Sequence, residues 1–100
     1  MSGIKEKIQG KTGRKLKQPP MYSVLMHNDH YTSMDFVVSV LKSIFHKGDA
    51  DANQIMMKIH KEGLAKVGIY TYDIARTKID STHRKAKDAG FPLRCTMETE

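Results

Sequence analysis

Positive charge is concentrated in the first 20 of the 100 residues of this chain. A segment with so much charge is unsuited to a hydrophobic core, so the core has to come from the other residues. Six basic residues stand there against a single acid, Glu6, whereas residues 21–100 hold eleven basic and ten acidic residues. Low hydrophobicity combined with high net charge is typical of disorder. We therefore expect residues 1–19 to be a flexible basic extension and residues 20–100 to fold as one small domain.

Several classes of protein are disfavoured by the apolar residues and the cysteine count. The densest apolar run, residues 36–41 (FVVSVL), is far shorter than the ~18 residues that a membrane span requires. The N-terminus lacks the apolar centre of a secretory signal. The single cysteine, Cys95, cannot form an internal disulfide. We expect a cytoplasmic protein in a reducing compartment.

The first half of the domain predicts a strand, a polar turn and a helix. Residues 21–27 (MYSVLMH) have the composition of a strand, and residues 28–31 (NDHY) are rich in turn formers. Thr32 is placed as the N-cap of a helix, with Asp35 at the third helical position. Apolar residues then recur at helical spacing up to the basic stop at residues 46–48: Met34, Val37, Val38, Leu41 and Phe45.

The second half predicts four further elements. They are a helix opened by the capping-box spacing from Asp51 to Gln54 and ended by Gly63, a strand over 64–70, a helix from Thr71 to Gly90, and a strand over 93–99. The order β-α-α-β-α-β favours an α+β fold, in which a three-stranded antiparallel sheet packs against three helices.

The turn at residues 28–31 is the most polar cluster beside apolar structure. A turn there can direct an amide oxygen, a carboxylate and a carbonyl oxygen toward one point, which suits a cation that donates hydrogen bonds. The alternative is a turn that does no more than link the strand to the helix.

The helical faces on either side of this turn also allow two interpretations. Their apolar members are core residues by default, but a methionine-rich face can also line a pocket of adaptable shape: Met34, Val37, Met56 and Ile59. His60 borders the second face, either as a partly buried histidine with a partner or as a hydrogen-bond acceptor through a neutral ring nitrogen.

Catalytic and metal chemistry find little support in the sequence. There is no HExxH motif, one cysteine cannot form a cysteine-rich zinc site, and His27 with His30 is a weak metal pattern. No nucleophile motif or phosphate-binding glycine loop occurs. A small nucleic-acid-binding protein with a basic arm remains an alternative function, although the domain itself is nearly neutral and has no tryptophan.

Five sequence segments occur in a fixed order along the domain: residues 27–37 (HNDHYTSMDFV), 56–63 (MMKIHKEG), 68–71 (GIYT), 75–78 (ARTK) and 92–96 (PLRCT). Together they closely resemble the ClpS adaptor family, without an obvious gap from Pro20 to Glu98. The resemblance implies a monomeric adaptor without a cofactor rather than an enzyme, with no nucleic acid or membrane among its partners. Such an adaptor binds proteins whose N-terminal residue is Leu, Phe, Tyr or Trp and hands them to the unfoldase ClpA of the ClpAP protease.

The resemblance also implies roles for individual residues. The substrate's free α-amino group would be held by Asn28, Asp29 and His60. The side-chain pocket would be lined by Thr32, Met34, Val37, Met56, Ile59 and Leu93, with Met34 as a gatekeeper against β-branched residues. Asp73 and Lys78 would dock on the unfoldase's N-terminal domain. Two positions depart from the family pattern, because His30 stands where a second acid is usual and Ser33 where proline is usual.

Overall fold

A computed structural model describes residues 18–100 of the chain. The expected extension over residues 1–19 therefore lies almost entirely outside the described residues and stays a prediction. The elements are β1 (Met21–His27), α1 (Met34–Ser43), α2 (Asp49–Glu62), β2 (Leu64–Thr71), α3 (Tyr72–Ala89) and β3 (Arg94–Thr99). The predicted order β-α-α-β-α-β and the α+β class are confirmed.

The sheet has β1 at its centre, with β2 and β3 antiparallel to it on either side. Met26 of β1 lies opposite Ala65 of β2 and Cys95 of β3, and all three side chains are buried. Helix α3 packs against all three strands, while α2 packs against both α1 and β2. One apolar core thus joins the sheet to the helices. None of the helices in the described part has the length and apolar character needed to cross a membrane.

The start of α1 differs from the prediction by one residue. The N-cap is Ser33, whose hydroxyl oxygen accepts a hydrogen bond from the Phe36 N–H at 3.1 Å. Thr32 is not the cap, because its hydroxyl donates to the carboxylate of Asp29 at 2.7 Å. Hydrogen bonds to a charged acceptor are the stronger ones, which explains why Thr32 turns back into the loop.

The start of α2 also differs from the prediction. The N-cap is Gly48, which has no side chain to cap with, and the helix begins at Asp49 rather than at Asp51. Asp49 forms an ion pair with Lys42 of α1 and lies in the first turn, where a negative charge is favoured by the helix dipole. The capping-box spacing from Asp51 to Gln54 therefore falls inside the helix.

The predicted ends of the two longer helices are confirmed. Gly63 follows α2 with φ of +94°, and Gly90 follows α3 with φ of +82°. Both values lie in the left-handed region, where glycine avoids the steric cost of a Cβ. Helix α1 ends at Ser43, before the predicted stop, and the chain then turns through His46, whose φ is +57°.

Candidate functional site

The polar turn after β1 is held beside the end of α2 by a backbone hydrogen bond. The N–H of Asn28 donates to the carbonyl of Gly63 at 2.8 Å, directly after the strand pair His27–Leu64. His60 lies in the last turn of α2, three residues before Gly63. Two residues that are 32 positions apart in the sequence, Asn28 and His60, are thus brought to one place.

Asp29 organises the turn through three hydrogen bonds. Its Oδ1 accepts from the backbone N–H of Tyr31 at 2.8 Å and of Thr32 at 2.7 Å, and its Oδ2 accepts from the Thr32 hydroxyl. Partial burial acts to raise the pKa of the Asp29 carboxyl, but these hydrogen bonds and the neighbouring His30 outweigh it. The net pKa lies below the ordinary value, so Asp29 is ionised at neutral pH.

A cavity of about 220 Å³ opens between the turn, α1 and α2. Its lining combines hydrogen-bonding side chains with apolar ones: Asn28, Asp29, His30, Thr32, Met34, Val37, Met56, Ile59 and His60. This volume is below the ~300–1,000 Å³ of a pocket for a drug-sized ligand. It exceeds the ~150 Å³ that accommodates a benzene ring. The cavity is therefore of a size for one large side chain.

The apolar wall comes from two helices whose side chains are spaced to share a face. Met34 and Val37 stand three residues apart on α1, and Met56, Ile59 and His60 follow the i, i+3, i+4 pattern on α2. Val37 and Ile59 are 7% and 2% exposed and form the inner wall, whereas Met34 is 42% exposed at the surface. An apolar side chain entering here would meet methyl and thioether groups on two sides.

The hydrogen-bonding side chains that line the cavity favour a cation. Asp29 brings a full negative charge, and the Asn28 amide oxygen and a ring nitrogen of His60 are each able to accept a hydrogen bond. The C-terminal end of α2, at His60 and Gly63, carries the partial negative charge of the helix dipole. An ammonium group placed there would find both acceptors and favourable electrostatics.

Most of the predicted site residues meet at this cavity, but Leu93 does not. It lies just before β3, is 4% exposed in the core, and is not among the residues that line the cavity. Asp73 and Lys78 lie on α3 and are likewise absent from the lining. Lys78 donates a hydrogen bond to the Ile44 carbonyl at 2.7 Å, with the rings of Phe45 and Tyr70 at 5.8 and 5.3 Å.

Two contributors to the site were not in the predicted set. His30 lines the cavity, although the sequence marked it only as a departure from the family pattern. The sequence predicts Gly63 only as a helix stop, yet its carbonyl accepts the hydrogen bond of the Asn28 N–H. The only sign of this role in the sequence is the position of Gly63 directly before a predicted strand.

His27, His83 and Cys95 have structural contacts away from the cavity. His27 Nε2 lies 2.8 Å from the Thr96 hydroxyl, and His83 Nε2 accepts from the Cys95 N–H at 3.0 Å. Burial raises the pKa of the Cys95 thiol to about 12, although Arg94 acts to lower it, so the thiol stays protonated. Within residues 18–100, no three histidine, cysteine or acidic residues are grouped to hold a metal ion.

Comparison with known proteins identifies the family to which the chain belongs. A family model described as "ATP-dependent Clp protease adaptor protein ClpS" matches residues 17–96. The chain belongs to the ClpS family. Members of this family are adaptors of the ATP-dependent Clp protease and not enzymes.

Individual ClpS proteins cover nearly the whole chain. The ClpS adapter of Myxococcus xanthus is 52% identical over 87 residues, which is 87% of this chain and 81% of that protein. The ClpS adapter of Desulforapulum autotrophicum is 45% identical over 97 residues, covering 97% of this chain and 93% of that protein. Among solved structures, Agrobacterium tumefaciens ClpS2 bound to L-phenylalaninamide matches with a TM-score of 0.80 and 40% identity. The match covers 83% of this chain and all of that one.

Proposed function

We propose that this ClpS protein binds proteins whose N-terminal residue is Leu, Phe, Tyr or Trp, and delivers them to the unfoldase ClpA for degradation by ClpAP. The observation that carries the proposal is the composition of the cavity. Its lining combines the hydrogen-bonding side chains of Asn28, Asp29 and His60 with the apolar side chains of Met34, Val37, Met56 and Ile59. An N-terminal residue has a matching pair of features, an ammonium group beside an apolar side chain.

The acceptors of the lining select a free amino group. Transfer of an ammonium group from water into a site without hydrogen-bond acceptors costs several kcal/mol, because a charge is desolvated and left unpaired. Asn28 Oδ1, the Asp29 carboxylate and a neutral His60 nitrogen would replace the lost water. A blocked or internal amide has neither the charge nor the full set of donors, so it would bind poorly.

The apolar wall selects the side chain by size and shape. One extra or missing methylene group on the bound side chain changes the binding free energy in such a pocket by roughly 1–3 kcal/mol. Met34 stands at the mouth and would crowd a side chain that branches at Cβ. Support comes from Agrobacterium tumefaciens ClpS2, whose ligand L-phenylalaninamide is one amino acid with a free α-amino group and a benzyl side chain.

Delivery involves parts of the chain away from the cavity. We assign docking on the ClpA N-terminal domain to Asp73 and Lys78 of α3, and assistance in delivery to residues 1–19. The adaptor would act as a monomer in the cytoplasm. The alternative of nucleic-acid binding has little support in the domain, where eleven basic and ten acidic residues nearly cancel.

A peptide beginning with Phe and carrying a fluorophore at its C-terminus tests the proposal by fluorescence anisotropy. We expect it to bind, and we expect its N-acetylated form to lose at least tenfold in affinity, about 1.4 kcal/mol or more. Asn28→Ala and His60→Ala should each weaken binding of the free peptide. Equal affinity for the free and acetylated peptides would rule out the proposed amine site.

A further inference from the structure

We propose that His30 forms a second subsite at the mouth of the cavity, one that favours an acidic side chain at the second residue of the substrate. This inference rests on the proposed function and adds to it a preference at the second residue of the substrate. His30 is an exposed residue of the polar turn that lines the cavity. It directly follows Asp29, the residue whose carboxylate organises the turn.

The ring of His30 is available to a ligand. The rings of His27 and His83 have hydrogen-bond partners, at 2.8 and 3.0 Å. Among residues 18–100, the ring of His30 has no such partner. A side chain with unused hydrogen-bonding capacity at the mouth of a binding cavity can bind substrate without breaking a contact of its own.

The chemistry of imidazole favours an acceptor as its partner. Imidazole has one N–H donor when neutral and two when protonated, so it can donate a hydrogen bond at any pH near neutrality. A carboxylate is an acceptor only, and its bond to such a donor is among the stronger ones. A lysine at the same place would meet a group that repels it whenever the ring is charged.

The geometry of an extended peptide directs its second side chain out of the cavity, toward the surface where His30 is exposed. Consecutive Cα atoms are ~3.8 Å apart, and successive side chains point to opposite sides of an extended backbone. If the first side chain enters the cavity, the second one points away from it and out of the mouth. Asp29, the one carboxylate among the described residues that line the cavity, already accepts three hydrogen bonds from its own loop.

Three peptides with free N-termini, Phe-Asp, Phe-Ser and Phe-Lys followed by one common sequence, test this subsite by anisotropy. We expect the unmodified protein to bind Phe-Asp about three- to tenfold more tightly than Phe-Lys. This factor corresponds to the net free energy that one typical hydrogen bond contributes. His30→Asp should reverse this order, and His30→Ala should bring the two affinities close together. The Phe-Ser peptide measures the amine site itself.

A matched control separates the subsite from overall charge. His46→Asp alters the charge of another exposed histidine, one that does not line the cavity, and it should leave the order of the peptides unchanged. If Phe-Ser binds but Phe-Asp and Phe-Lys bind equally, the subsite is wrong and the proposed function stands. If Phe-Ser fails to bind, the proposed function is wrong and the subsite is rejected with it.

Discussion

The backbone N–H of Asn28 donates to the carbonyl of Gly63 across 2.8 Å, so the end of β1 and the end of α2 are fixed to one another. The backbone that carries Asn28 is therefore held beside the last turn of α2, where His60 lies three residues before Gly63. Preorganisation of this kind reduces the conformational entropy lost on binding. A binding defect can thus arise from a backbone change that removes neither side chain.

Gly63→Ala is expected to lower both stability and affinity. The φ of +94° at Gly63 is unfavourable for any residue with a Cβ, at a cost of about 1 kcal/mol. Relief of that strain would move the Gly63 carbonyl and with it Asn28, so the Phe peptide should bind several-fold more weakly. Urea denaturation and peptide anisotropy measure the two effects.

Gly90→Ala is the matched control for this change. Gly90 ends α3 with φ of +82°, and a Cβ at either glycine would have no heavy atom within 4 Å. The two variants should lose similar stability, but Gly90→Ala should keep normal peptide affinity. Equal affinity losses in both variants would contradict the role given to the Asn28–Gly63 bond.

Thr32→Val is expected to raise the pKa of Asp29. The variant removes the hydroxyl that donates to Asp29 Oδ2 and keeps the Thr32 backbone N–H that donates to Oδ1. The loss should cost about 1 kcal/mol near pH 7, because a hydrogen bond to an ionised group is lost. NMR titration of the Asp29 carboxyl carbon measures the pKa in both proteins.

The same variant should change how stability depends on pH. The folded-state pKa of Asp29 lies below its ordinary value of 3.8, so the folded protein binds fewer protons there than the unfolded chain does. The stability that Asp29 contributes is complete above about pH 3.8, the ordinary pKa, and is lost as the pH falls through the folded-state pKa. Thr32→Val should reduce this loss, whereas Thr82→Val, which removes a hydroxyl bonded to the Lys78 carbonyl, should not. An identical acid profile for the two variants would exclude this account of Asp29.

The cap residues show that local sequence patterns do not determine the first residue of a helix. Thr32 and Ser33 are adjacent and equally suited to begin α1, and the choice depends on Asp29, which takes the Thr32 hydroxyl. In α2 the competing acids are Asp49 and Asp51, and the helix begins at Asp49, which also forms a tertiary ion pair with Lys42. The glycine stops were predictable because few other residues accept a positive φ.

Met34→Ala is expected to widen the range of accepted N-terminal residues. Met34 stands at the mouth of the cavity, and removal of its side chain leaves space for a branch at Cβ. A peptide beginning with Ile should gain affinity relative to one beginning with Phe. Met57→Ala is the control, because Met57 is exposed to a similar degree, 36% against 42%, but does not line the cavity. If the Ile-to-Phe ratio is the same in both variants, Met34 is not the gatekeeper.

Lys78→Gln is expected to destabilise the fold, whatever its effect on the unfoldase. The Lys78 ammonium links α3 to the carbonyl that follows α1, and it lies near two aromatic rings. Loss of a charged hydrogen bond of this kind costs about 1–3 kcal/mol. Thermal denaturation should show a lower melting temperature for Lys78→Gln than for the unmodified protein.

Asp73→Ala separates docking from folding. Asp73 is exposed in the first turn of α3, so its removal should cost less than about 1 kcal/mol of stability. Weaker binding to the ClpA N-terminal domain by a stable Asp73→Ala protein would support α3 as the docking surface. Unchanged binding would remove Asp73 from it.

The candidate site was predictable from sequence only in part. The polar turn and the methionine-rich faces could be recognised from residue type and spacing. The proximity of Asn28 and His60 followed only from the family resemblance and not from spacing, because it depends on the pairing of β1 with β2 and on the Gly63 carbonyl. Leu93, which the resemblance places in the pocket wall, is a buried residue outside the lining of the cavity, and its place in the site stays a prediction.

Cys95 of β3 is a core residue, only 3% exposed, with a thiol whose pKa is raised to about 12. The thiolate is the reactive form, so maleimide reagents at neutral pH will react with it slowly. A cysteine introduced at the exposed Tyr31 beside the cavity could therefore carry a dye on a protein that keeps its native thiol. Substrate arrival could then be followed by fluorescence on a single labelled position.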